Sequence, residues 1–148
     1  MSKDWIVVAD KNRCRIFEQA NRHGALEEIA DLVAPTTRLK NQDINTDRHG
    51  RAFDSGGQGR HAMGSSVEPV EQEAIRFAKE VAAKLDSGRQ QNSFGKLYVI
   101  AEPRFLGYLR QNYSRPLKEM IAAEIDKDWT MQPPDEIRTR LREAVFGG

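Results

Sequence analysis

A single cysteine, Cys14, cannot close an internal disulfide, and three histidines supply no cluster at zinc-ligand spacing. No structural metal is therefore expected, and no motif points to a cofactor. Long apolar runs are missing too: the stretch Trp5 to Ala9 is far too short to cross a bilayer. Charge of one sign is also lacking, since 23 basic residues stand against 22 acidic ones and leave a formal charge of +1. Such a balance creates no strong field for a polyanion, so any nucleic-acid contact must be local. No repeat or low-complexity tract appears. The start, Met1 to Lys11, has Lys3, Asp4, Asp10 and Lys11 around a short apolar patch. A secretory leader instead combines a basic start with an apolar stretch of roughly 7–15 residues, which makes a cytoplasmic address the expectation.

What is present is enough for one domain. The 148 residues, 39% of them hydrophobic and 30% charged, match a single globular unit spanning 1–148. Trp5-Ile-Val-Val-Ala9 is apolar on both faces and is followed by the turn formers Asp10, Lys11 and Asn12, which reads as a central strand entering a hairpin. From Arg13 to Gln19 the pattern alternates as in a half-covered strand, with Cys14 and Ile16 on one face and Arg13, Arg15 and Phe17 on the other. Leu26 to Val33 completes an antiparallel meander.

The period then changes. Val70, Ala74, Phe77, Val81 and Leu85 fall on one helical face between Glu68 and Asp86, with Pro69 suited to the first turn and Gly88 to the helix end. Leu97 to Ala101 reads as a buried strand, after which Pro103 can open a helix carrying Phe105, Leu106 and Leu109. Residues 116–129 fit two patterns: Leu117, Ile121 and Ile125 suit a helix, while Ile121, Ala123 and Ile125 suit a strand. Pro134 to Phe146 closes the chain as an amphipathic helix with Ile137, Leu141 and Val145 inward.

Between Thr37 and Val67 about 30 residues show neither a period nor a core stripe, although compact domains seldom contain structureless loops beyond roughly 12–15 residues. This segment holds five of the eleven glycines. Within it, Gly56 and Gly57 permit positive φ and a close backbone approach to a ligand, while Gln58 offers an amide able to hold a water near a developing oxyanion. Arg48, Arg51, Arg60 and His61 are candidate RNA contacts, balanced by Asp43, Asp47 and Asp54. The competing explanation is a plain glycine-rich surface loop.

Asp10, Glu102 and Glu71 or Glu73 offer a third kind of chemistry, a carboxylate cluster for two-metal phosphodiester cleavage. Simpler roles compete here as well: Asp10 as a turn residue and Glu102 as the cap before Pro103. Cys14 reads as a small apolar residue of the sheet, and Arg138, Arg140 and Arg142 as a solvated helix face.

Taken in order, WIVVADKNRCRIFE, RAFDSGGQGRHAM, LYVIAEPRFLGYLR and EIDKDWT resemble the bacterial host attachment protein family over nearly the whole chain. That family is in turn similar to the middle domain of archaeal and eukaryotic peptide-chain release factors and of Pelota. The resemblance implies an α/β domain of ribonuclease-H-like order, βββαβαβα, with a mixed sheet and the glycine-rich loop between the third strand and the first helix. It makes residues of about 120–126 the fifth strand. It also implies a role at the ribosome or on tRNA, in which Gly56 and Gly57 shape a loop and Gln58 positions the water that attacks a peptidyl-tRNA ester. A non-enzymatic interaction protein affecting attachment to host cells or surfaces is the alternative, and a metal-dependent nuclease ranks third.

Overall fold

The computed structural model describes residues 3–21, 23–35, 37 and 67–147. β1 (Asp4–Ala9), β2 (Arg13–Gln19) and β3 (Glu27–Val33) form the meander. Helix α1 (Val67–Gln90) leads to β4 (Lys96–Ala101), then to α2 (Pro103–Arg110), α3 (Arg115–Met120), β5 (Ile121–Ile125) and α4 (Pro134–Leu141), which continues as a π-helical turn over Arg142–Phe146. The sheet order is β3-β2-β1-β4-β5. β1 pairs antiparallel with β2 and β2 with β3, while β1–β4 and β4–β5 are parallel. The result is a single mixed α/β domain.

The central strands are apolar on both faces because both faces are covered, as expected of parallel strands. With a side-chain period of two, Trp5, Val7 and Ala9 of β1 and Leu97, Val99 and Ala101 of β4 point to one face, where Phe77, Val81 and Leu85 of α1 and Phe105 and Leu109 of α2 pack. Ile6, Val8, Tyr98 and Ile100 point to the other, against Phe17, Trp129, Ile137 and Leu141. Each fully buried Val, Leu, Ile or Phe among them contributes about 1.5–3 kcal/mol.

Several sequence expectations change here. The fifth strand expected at about 120–126 is present as β5, but the residues before it are helical: Ser114 caps α3 by accepting the Leu117 N–H at 3.2 Å, and the chain passes straight from Met120 into β5. Two helices thus join β4 to β5 where the resemblance implies one. β2 is not half-covered, since Arg15 and Phe17 are buried along with Cys14 and Ile16. Val70, assigned to the core stripe of α1, is 56% exposed.

Gly88 does not end α1; it lies inside the helix, under the indole of Trp5. A Cβ there would fall 2.6 Å from Trp5 Cη2 and 3.2 Å from Phe94 Cε2. The helix is closed instead by Asn92 in the left-handed region at φ 57°, with the Ser93 N–H bonded to the Gly88 carbonyl at 2.9 Å and the Asn92 N–H to the Arg89 carbonyl at 3.0 Å. Gly88→Ala is therefore expected to destabilise the fold. Overpacking against a buried indole costs about 1–3 kcal/mol, which outweighs the ~1 kcal/mol gained in helix propensity. Thermal unfolding checks this, and an unchanged or raised Tm contradicts it.

Candidate functional site

Ala9 and Ala101 are register partners at the ends of β1 and β4, so Asp10 and Glu102 leave the sheet side by side. From β1 the chain turns toward β2; from β4 it departs the opposite way, through α2 and α3 to β5. Diverging connections at the carboxyl ends of adjacent parallel strands leave a crevice, the usual place for ligands in open α/β sheets.

Among the described residues, cavities line it, two of them large. One, of about 390 Å³, is walled by Val70 and Ala74 of α1 and by Phe105 and Tyr108 of α2. The other, of about 440 Å³, extends toward Asp10, Asn12 and Asp128. Lys11, Glu102 and Arg104 border both. Thr37, whose hydroxyl donates to Asn12 Oδ1 at 2.9 Å, lies beside the same edge.

Asp10 holds the β1–β2 turn. Its Oδ1 accepts the Asn12 N–H at 2.8 Å and the Arg13 N–H at 3.0 Å. Its Oδ2 is 3.3 Å from the Thr130 hydroxyl, which is also 2.6 Å from Asp128 Oδ1. One hydroxyl hydrogen cannot serve both carboxylates, and the shorter contact goes to Asp128. Burial is the largest influence on Asp10 and raises its pKa above the usual carboxylate value of 3.8, Asp128 adding to the effect and the two turn N–H groups opposing it. Glu102 caps α2, with Oε2 accepting from the Arg104 N–H at 3.1 Å and Oε1 from the Phe105 N–H at 3.0 Å.

The carboxylates considered for metal chemistry are thus engaged elsewhere. Glu71 accepts the Tyr108 hydroxyl at 2.9 Å, and Glu73 pairs with Arg76 at 2.8 Å. Among the described residues, no group of three or more His, Cys, Asp or Glu side chains could hold a metal ion. Cys14 is wholly buried, and burial pushes its thiol pKa up, away from the nucleophilic thiolate. Arg138 donates to the His23 carbonyl at 3.0 Å, and Arg140 pairs with Glu136 at 2.9 Å while lying over Trp129. These two are therefore not simply a solvated face. The loop candidates Gly56, Gly57, Gln58, Arg48, Arg51, Arg60 and His61 lie outside the described residues.

Sequence reasoning missed the polar tie that supports this edge. Arg15, only 8% exposed, forms a fork on Glu28 at 3.1 and 3.0 Å and donates to the carbonyls of Thr130 at 3.0 Å and Gln132 at 2.8 Å. Its guanidinium carbon sits 5.0 Å from the centre of the Phe17 ring. This one side chain fixes the segment bearing Asp128 and Thr130 to the meander. A charged residue at an alternating strand position gives no sequence signal of such a role. Asp128 and Thr130 were equally hidden, because their partner Asp10 is more than a hundred positions away.

A family model described as "protein required for attachment to host cells" matches residues 5–141, from the second residue of β1 to the last of α4. No curated protein matches the chain. Among the described residues, no helix is long and apolar enough to cross a membrane.

The raised Asp10 pKa carries a sign. Protonation is favoured in the folded state, so this group's contribution is most favourable below 3.8 and is lost as pH rises through its elevated folded value. Asp10→Asn keeps the oxygen that accepts both turn N–H groups and offers an N–H to Asp128. It is expected to be at least as stable as wild type at neutral pH, within about 1 kcal/mol, and to flatten stability over that acidic window. Asp10→Ala, with both turn donors deprived of an acceptor, loses about 1–2 kcal/mol. Denaturant titrations across the acidic range check both variants; an Asp10→Asn loss matching that of Asp10→Ala contradicts the assignment.

Proposed function

The chain belongs to the family of proteins required for attachment to host cells, and on that premise we propose that it is a cytoplasmic member with a release-factor-like domain. In this reading it associates with the ribosome or tRNA and hydrolyses peptidyl-tRNA ester through Gly56-Gly57-Gln58. The observation that carries the reading is one of order. The Gly-Gly-Gln triplet falls in the sequence between β3 and α1, and the sheet runs β3-β2-β1-β4-β5 with β2 antiparallel to its neighbours. That arrangement supports the ribonuclease-H-like likeness, in which this connection carries the glutamine loop.

The chemistry asks little of the protein. Water attacks the ester carbonyl carbon, the carbon–oxygen bond to the tRNA breaks, and the leaving oxygen takes up a proton. Gln58 orients the water and its amide N–H supports the developing oxyanion, while Gly56 and Gly57 allow the backbone to approach. Arg48, Arg51, Arg60 and His61 contact RNA phosphates. A second reading, a non-enzymatic interaction protein affecting attachment to host cells or surfaces, is favoured by the family match itself.

Stalled ribosomes carrying labelled peptidyl-tRNA separate the two. The wild-type protein is expected to release peptide and to co-sediment with ribosomes less as salt rises. Gln58→Ala is expected to reduce release by about 10²-fold or more while leaving sedimentation intact. No release above background together with no association overturns the proposal in favour of the interaction reading. Finding the native protein outside the cell overturns the cytoplasmic assignment.

A further inference from the structure

We propose that the crevice between α1 and α2 binds a small organic anion with a flat apolar body, either an aromatic acid or a nucleotide. This inference does not depend on Gln58 or on ribosome association. The cavity of about 390 Å³ is large enough for such a molecule, ligand pockets spanning roughly 300–1,000 Å³.

Its apolar wall explains an anomaly of α1. Val70 stands on the same helical stripe as Ala74, Phe77, Val81 and Leu85, yet it is 56% exposed where the others are buried. Two turns further along, the helices close on each other, with the Phe77 and Phe105 rings 5.8 Å apart. At Val70 they leave room, and the side chain borders the cavity together with Ala74, Phe105 and Tyr108. A flat apolar group placed there would complete the stripe.

The mouth specifies charge. Lys11 and Arg104 border the cavity, both exposed, and neither forms an ion pair among the described residues. The two carboxylates beside them have partners already: Glu102 takes the N–H groups of α2, and Glu71 takes the Tyr108 hydroxyl. Those partners are neutral, so both carboxylates keep their charge and some acceptor capacity, but the ammonium and the planar guanidinium fork have no ion-pair partner among the described residues and suit the oxygens of a carboxylate or phosphate. Beyond these cations, the adjoining cavity presents Asp10 and Asp128. In a nucleotide the ribose joins base to phosphate, so its hydroxyls would fall between the apolar wall and the cations, where the carboxylates Glu71 and Glu102 border the cavity and can accept from them, partners that a plain aromatic acid would not use.

Isothermal titration of the full chain with AMP, benzoate and inorganic phosphate tests this. Saturable binding of AMP or benzoate, tighter than phosphate and weakened by salt, is expected. Lys11→Ala and Arg104→Ala should each weaken it by about tenfold, and Val70→Trp, which fills the apolar half from an exposed position, should abolish it. Arg76→Ala, an exposed substitution elsewhere on α1, should leave it unchanged. Preference for AMP over benzoate assigns a nucleotide, and equal binding of the two assigns an aromatic acid. The proposal is overturned if neither binds, if phosphate binds as tightly as both, or if the Lys11, Arg104 and Val70 variants bind like wild type.

Discussion

The parallel pairing of β1 with β4 is the constraint on which the rest of the molecule depends. Asp4 to Ala9 align residue for residue with Lys96 to Ala101, so a single register sets three things together. It sorts the apolar side chains of both strands into two faces, brings α1 and α2 onto the first and the terminal helix onto the second, and ends both strands at the same level. A slip of one residue would exchange the faces of one strand and bury its set against the wrong helices, so the register is strongly specified.

The same register locates the crevice. Because β1 and β4 stop together, the residues after them, Asp10 and Glu102, are spent on holding the departing chain: Asp10 turns it into β2, and Glu102 starts α2. Both acidic groups serve the backbone first. The cations Lys11 and Arg104, one position beyond Asp10 and two beyond Glu102, are thereby left facing outward at the rim. The edge is tied down from the far side by Arg15, whose fork on Glu28 and bonds to two carbonyls replace the water a buried guanidinium would otherwise lose.

The strand cores were legible because central parallel strands are written as uninterrupted apolar runs, and Trp5 to Ala9 and Leu97 to Ala101 are such runs. The stripe of α1 was legible from Ala74 onward, and the turn role of Asp10 and the capping role of Glu102 follow from residue type and position alone. Other features depended on distant partners. Val70 keeps the helical period but meets a gap, and periodicity cannot say where a facing helix stops. Gly88 looks like a helix end because glycine often is one, whereas what selects it is an indole more than eighty residues earlier in the chain. Residues 116–129 satisfied two periods because a six-residue helix abuts a five-residue strand without a spacer. Arg15 alternates like a surface residue, and only the return of residues 129–132 over the sheet buries it.

Residue-resolved amide hydrogen exchange tests the primacy of the central pair most directly. Amides of β1 and β4 should exchange only through global unfolding and share the largest opening free energy, while those of the edge strand β3 open locally at lower cost. Exchange from β1 as fast as from β3, or opening of β4 independently of β1, would contradict the claim that this pairing holds both faces of the domain together.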